Sequence, residues 1–216
     1  YKQTGVTNYD ELVGYGTLAI LNGKILIGDE AILSCPKDTV FDYVKLYPDS
    51  NIKEWVYSVK GDFDIYHCQN LEYISPDCKF GGSVNVSRTN IKEWNCDVQG
   101  DFNASNSSLE HVNPDCVFGG AVDIRETKIK EWYCDVRGYF DARYSKLEYV
   151  NPECVFGSKV YVIETNIREW KCDVEGDLYA NYCEKLEKIS DCKIKGKIHA
   201  NDNVEIIKEE KHSMRM

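Results

Sequence analysis

Positive charge is in short supply. The 216 residues carry 26 Lys and Arg against 36 Asp and Glu, a formal charge of −10 with a pI near 5.0. Nucleic acid and anionic membrane surfaces both need a basic footprint, so neither is expected as a partner, and neutral or basic partners are favoured. No apolar run approaches the ~18 residues of a membrane span. Cysteines nowhere form a Cys-x-x-Cys pair or share a pattern with histidine, which argues against zinc. His67, His111, His199 and His212 have no recurring nucleophile or carboxylate beside them, and catalysis would need such a pair in a pocket. The acidic residues match no calcium-loop spacing. The chain is therefore read as non-catalytic, without metal or cofactor.

What the sequence has is a period. Asn-Ile-Lys-Glu-Trp at residues 51–55 returns at 90–94, as Lys-Ile-Lys-Glu-Trp at 128–132, and as Asn-Ile-Arg-Glu-Trp at 166–170. Trp55, Trp94, Trp132 and Trp170 thus fall 39, 38 and 38 residues apart. Repeats of this length bury their apolar faces on one another and form one array, and 43% hydrophobic against 29% charged residues suffices for a continuous interior. Residue 1 is Tyr, as expected of a processed or trimmed chain.

Cys78, Cys96, Cys116, Cys134, Cys154, Cys172 and Cys192 stand alternately 18 and 20 residues apart, in step with the repeat. They read as a buried packing column of small side chains. A disulfide framework is the strained alternative, because in-register side chains on parallel neighbours point the same way. Free thiols in such number suggest a reducing, cytoplasmic setting. Sequons at Asn85, Asn103 and Asn106 keep secretion as the other reading.

Residues 1–37 do not obey the repeat. Strand-like runs at 17–21 and 24–27 flank Asn22-Gly23, the preferred hairpin turn, and are expected to form a cap laid across the strand edge and open core of the first coil. Residues 29–35 lead into a degenerate coil from about 38, with Val40, Val44, Leu46, Ile52 and Trp55 at core positions. The array is expected over 38–207, followed by a charged tail at 208–216.

Each 38-residue unit splits into two coils. Strand alternation directs Phe102 with Ala104, Val122 with Ile124 and Phe140 with Ala142 inward, so large-with-small alternates with medium-with-medium. Trp55, Ile74, Trp94, Val112, Trp132, Val150, Trp170 and Ile189 form a second column. Val59, Phe80, Val98, Phe118, Val136, Phe156, Val174 and Ile194 form a third in opposite phase. Volume per coil stays nearly constant, as close packing requires, and removing one coil would set Trp on Trp.

Val122-x-Ile124-x-x-Thr127-x-Ile129 resembles the Leu-x-Leu-x-x-Asn-x-Leu of leucine-rich repeats, in their short bacterial or phage form, over roughly residues 38–207. The expected fold is accordingly mainly β: a right-handed leucine-rich-repeat-like solenoid of about nine coils, one parallel sheet and an N-terminal β-hairpin cap. The family's Asn ladder would here be a hydroxyl and thiol ladder, at Cys68, Thr89, Ser107, Thr127, Ser145, Thr165 and Cys183. Outside the core, Lys53, Glu72, Lys92, Glu110, Lys130, Glu148, Arg168 and Glu187 alternate in sign, which predicts ion pairs between neighbouring coils.

The resemblance also implies binding on the outer face of the sheet. Early coils place Asp62, Asp64, Asp101, Asn103 and Asp123 there. Later coils place Tyr139, Tyr161, Tyr179 and His199, with Arg125 and Arg143 beside them. Tyr and Arg are enriched at interaction hot spots, so these six are the expected site for a protein partner. The other reading is an assembly component engaged through its C-terminal end, where end-to-end self-association would follow because no apolar cap succeeds Ile206 and Ile207.

Overall fold

A computed structural model describes residues 17–207. In it the inward–outward alternation becomes nine stacked coils, each giving one strand to a parallel run that begins with Tyr43–Lys45 and ends with Ile198–Ala200. The first sixteen residues of the expected cap and the charged tail at 208–216 lie outside the described residues.

Ahead of the first coil, Leu18–Leu21 and Lys24–Ile27 pair antiparallel around Asn22 (φ 51°) and Gly23 (φ 73°). Both central residues have positive φ, as a tight hairpin turn requires. Leu18–Leu21 also pairs antiparallel with Tyr43–Lys45, so the hairpin extends the sheet to eleven strands. It covers the strand edge and also packs on the core, with Ala19 fully buried in it and Leu21 and Leu26 beside it. The core is closed by a helix that sequence reasoning missed, Asp29–Leu33, which buries Ile32. The Asp29 carboxylate anchors it, accepting from Ser50 Oγ at 2.9 Å and the Asn51 N–H at 2.6 Å.

The expected parallel sheet is one of three faces, because among the described residues the coils are three-sided. Trp-bearing strands pair in a second row, as in Glu93–Trp94 with His111–Val112. Bridges such as Val98 to Phe118 mark a third. In the first coil that third position belongs to Phe41, which pairs with Val59 and is fully buried, while Val40 points to solvent. The assignment of Val40 to the core is corrected by one residue.

The aromatic members of the three columns resolve into one spine. From Phe41 through Trp55, Phe63, Phe80, Trp94 and Phe102 to Trp170, consecutive ring centroids lie 4.7–5.8 Å apart. Aromatic pairs at these separations add to the stabilisation from buried area. Each indole N–H is satisfied within its own coil: Trp132 Nε1 donates to the Cys134 carbonyl at 2.7 Å, and Trp94 to that of Cys96 at 2.7 Å.

The backbone enters each sheet strand through a residue pressed against the coil before it. A Cβ added at Gly138 would lie 2.5 Å from the Ala121 nitrogen and 2.7 Å from its Cα. Gly138→Ala should therefore lower unfolding stability by about 2 kcal/mol through overpacking against backbone, read as a shifted urea midpoint with the slope preserved.

The hydroxyl and thiol ladder divides by residue type. Thr89, Ser107, Thr127, Ser145 and Thr165 each donate to a carbonyl three residues back in the same coil, at 2.6–2.7 Å. Cys68 and Cys183 instead reach the preceding coil, at Tyr47 O (3.2 Å) and Val162 O (2.8 Å). A short hydroxyl thus closes its own turn, and Thr165 Oγ1 also lies 3.4 Å from Cys183 Sγ of the next coil. The seven-cysteine column lines the interior, six of its members buried and Cys192 partly exposed, and all ten cysteines are free thiols.

Candidate interaction surface

Three rows of side chains face outward from the sheet, and the middle row decides its character. Asp64, Asn85, Asn103, Asp123 and Asp141 each use Oδ1 to accept the N–H two residues on, at 3.0–3.2 Å. These acidic and amide groups close the turn that follows each strand, so the Asp face of the early coils is a backbone device.

In the fifth and sixth coils the residues two positions on are Arg125 and Arg143. Arg125 grips Asp123 with Nε (2.9 Å to Oδ1) and Nη2 (2.6 Å to Oδ2), and Nε also lies 3.5 Å from Asp141 Oδ2. Arg143 grips Asp141 in the same two-pronged way, at 2.9 and 2.7 Å. Asp123 and Asp141 are 7% and 4% exposed, which makes these partly buried, charge-assisted pairs. The hydrogen bond each guanidinium donates to its carboxylate raises the arginine pKa further above its ordinary value, so both arginines stay charged.

From the seventh coil the middle row turns aromatic. Tyr161 stacks on Tyr179 at 4.8 Å and 9°, and Tyr179 on His199 at 4.5 Å and 1°. The pairing register Asp141–Tyr161–Tyr179–His199 sets them on successive coils. Arg143 closes the column from the other end, 5.4 Å from the Tyr161 ring centre. Tyr179 also donates to Asp177 Oδ2 at 3.2 Å, and desolvation raises its phenol pKa. Five of the six residues expected at the site therefore form one connected row: Arg125, Arg143, Tyr161, Tyr179 and His199. Tyr139 does not join them. It stands in the adjacent row, 46% exposed, just before the strand Phe140–Asp141, and its carbonyl receives the Val122 N–H.

Comparison with family models, curated proteins and solved structures returns no match.

The alternating charge column runs in register, as Glu110 N to Lys92 O (2.8 Å) and Glu148 N to Lys130 O (2.8 Å) indicate, but its side chains do not pair with one another among the described residues. Glu110 reaches Lys128 at 3.7 Å instead. Exposed side chains on such a column gain too little from pairing to be held in place. Among the described residues no three His, Cys, Asp or Glu side chains converge as a metal site, and no helix is long and apolar enough to cross a membrane.

One further column escaped sequence reasoning. His67, Arg88, Asn106, Glu126, Tyr144, Glu164 and Tyr182 all have φ between 56 and 62°. Each occupies the left-handed turn just after the sheet and projects from its rim. None is glycine, so the usual sequence signal for positive φ is missing, and only the fixed offset from the inward strand residue could have revealed the column.

Proposed function

We propose that the protein is a non-catalytic scaffold that binds a protein partner through the outer face of its sheet in the sixth to ninth coils, as the resemblance to leucine-rich repeats implies. The observation that supports this reading is the stacked row Arg143–Tyr161–Tyr179–His199. Its rings are held in one orientation by their neighbours, so little side-chain freedom remains to be lost on binding. Tyrosine supplies contact area with a polar tip. The acidic balance favours a neutral or basic partner, and the free thiols suit a reducing, cytoplasmic setting.

A second reading, an assembly component held by its C-terminal end, draws on the ninth coil. Ile194, Ile198 and Ala200 there are only partly covered, and Ile206 and Ile207 are each 43% exposed. The test is affinity capture from source lysate with wild type and a Tyr161→Ala/Tyr179→Ala variant. Arg143 is retained, because removing it would leave buried Asp141 without its guanidinium. The scaffold reading expects one specific partner to be lost from the variant. Retention of that partner, with loss on trimming after Ile207, would overturn it in favour of the end.

A further inference from the structure

The Trp-side row of strands is interrupted between the second and third, the fourth and fifth, and the sixth and seventh coils, and is continuous from the seventh to the ninth. At two of these junctions a backbone bond still ties the coils, Lys128 N to Leu109 O (3.0 Å) and Asn166 N to Leu147 O (2.8 Å). Between the second and third coils the equivalent bond, Asn90 N to Leu71 O, does not form among the described residues. The second coil has one residue more than the fourth and sixth between the ladder position and the next core leucine: Gln69 and Asn70 separate Cys68 from Leu71, where Ser108 alone separates Ser107 from Leu109. The same insertion makes the first tryptophan spacing 39 instead of 38. Across this junction the Asn90 side chain reaches back instead, its Nδ2 donating to the Gln69 carbonyl at 2.8 Å.

The result is a pair of adjoining hollows, about 520 and 400 Å³, that share Asn90 and Ser108. The smaller is lined by amides, hydroxyls, His67 and Arg88, with no carboxylate. Arg88 is the exposed left-handed turn residue of the third coil. Arg125 and Arg143 have their forks filled by aspartates, whereas Arg88 makes no ion pair among the described residues and rests 5.8 Å from the Tyr66 ring. Thr89, Ser107 and Asn90 already donate to backbone carbonyls, but a planar guanidinium without an ion pair, beside the Gln69 and Asn106 amides, Ser108 and His67, is a receptor for an oxyanion. The larger hollow is different in kind: Glu72, Glu93, Asn95 and Lys92 surround Tyr73, which is 48% exposed. Carboxylates accept hydroxyl protons, amides both give and accept, and a tyrosine ring offers a flat apolar face.

We propose that this double hollow binds an acidic saccharide, its carboxylate or sulfate on Arg88 and its hydroxylated ring beside Tyr73 and Asn90. The site lies on the early coils, away from the stacked tyrosines, and its failure would leave the scaffold reading standing.

Calorimetric titration of the full chain with sodium glucuronate and with 3′-sialyllactose tests this, against lactose and sodium sulfate. Arg88→Asn removes the positive charge while suiting positive φ, and Glu164→Asn places the same residue at the matching left-handed position of the seventh coil, where it removes a negative charge. The expected result is saturable binding of at least one acidic saccharide, weakened roughly tenfold or more in Arg88→Asn, as loss of a charge-assisted bond implies, and unchanged in Glu164→Asn. Absence of saturation with both acidic saccharides, equal affinity in Arg88→Asn, equal affinity for lactose, or sulfate binding as tightly as the sugars would each overturn the proposal.

Discussion

A chain lacking residues 97–134 should fold, and a chain lacking only 97–116 should not. The longer deletion joins Cys96 to Asp135-Val136-Arg137-Gly138, which repeats the pattern of the Asp97-Val98-Gln99-Gly100 it replaces. Every column keeps its phase, and Trp94 again meets a phenylalanine of the next coil. The shorter deletion brings Phe118 onto Phe80 and Trp132 onto Trp94, all of them fully buried in the intact protein. Overpacking costs about 1–3 kcal/mol at a single site, and two such collisions beside a Val-on-Val void amount to roughly 5 kcal/mol, comparable to the ~5–15 kcal/mol that holds a domain together. Circular dichroism and thermal melting decide it. The longer deletion should retain the β spectrum with a cooperative transition, and native-like melting of the shorter one would sink the idea that the two-coil unit is indivisible.

Raising the pH should unfold the protein sharply. Cys68, Cys78, Cys96, Cys116, Cys134 and Cys154 are pushed by burial from an ordinary thiol pKa of 9.0 up to about 12, and Cys172 is raised by the same cause. Below pH 9 both folded and unfolded chains hold these protons, and stability is flat with respect to them. Above pH 9 the unfolded chain releases protons that the folded chain keeps, so stability falls until the folded thiols titrate near 12. Each such thiol contributes about 1.4 kcal/mol of loss per pH unit. Six acting together remove roughly 8 kcal/mol per unit, enough to exhaust a typical domain within the first two. Tryptophan fluorescence should report a cooperative transition between about pH 9.5 and 11, reversible on prompt return to neutral pH under reducing conditions. A native spectrum at pH 11.5 would contradict it. At pH 8, a thiol reagent should find only Cys35 and Cys192, the two cysteines that are partly exposed.

Much of this architecture could be read from the chain because solenoid packing leaves periodic marks. The inward pairs from Phe63–Ile65 to Leu178–Ala180, the tryptophan column and the Asn22-Gly23 hairpin all lie where alternation and turn chemistry put them. Departures arise where period carries no information. Val40 and Phe41 are both apolar, and only pairing with Ser58 and Val59 decides which faces in. The helix Asp29–Leu33 is five residues long, too short to display a helical repeat. Arg125 and Arg143 could be placed on the face, but that Asp123 and Asp141 would occupy their forks depends on side-chain geometry two residues apart on one strand. The hollow beside Arg88 was announced only by a spacing of 39 where 38 is the rule.

The two ends of the solenoid are unlike: a hairpin and a helix seal the first coil, while among the described residues no strand follows that of the ninth in the sheet. A ribosome delivers the sealed end first. Each later coil meets a finished template as soon as it emerges, since its partners lie only about one coil upstream. The chain thus grows as a crystal does on a seed, and a pause in translation leaves a shorter version of the same structure rather than a tangle.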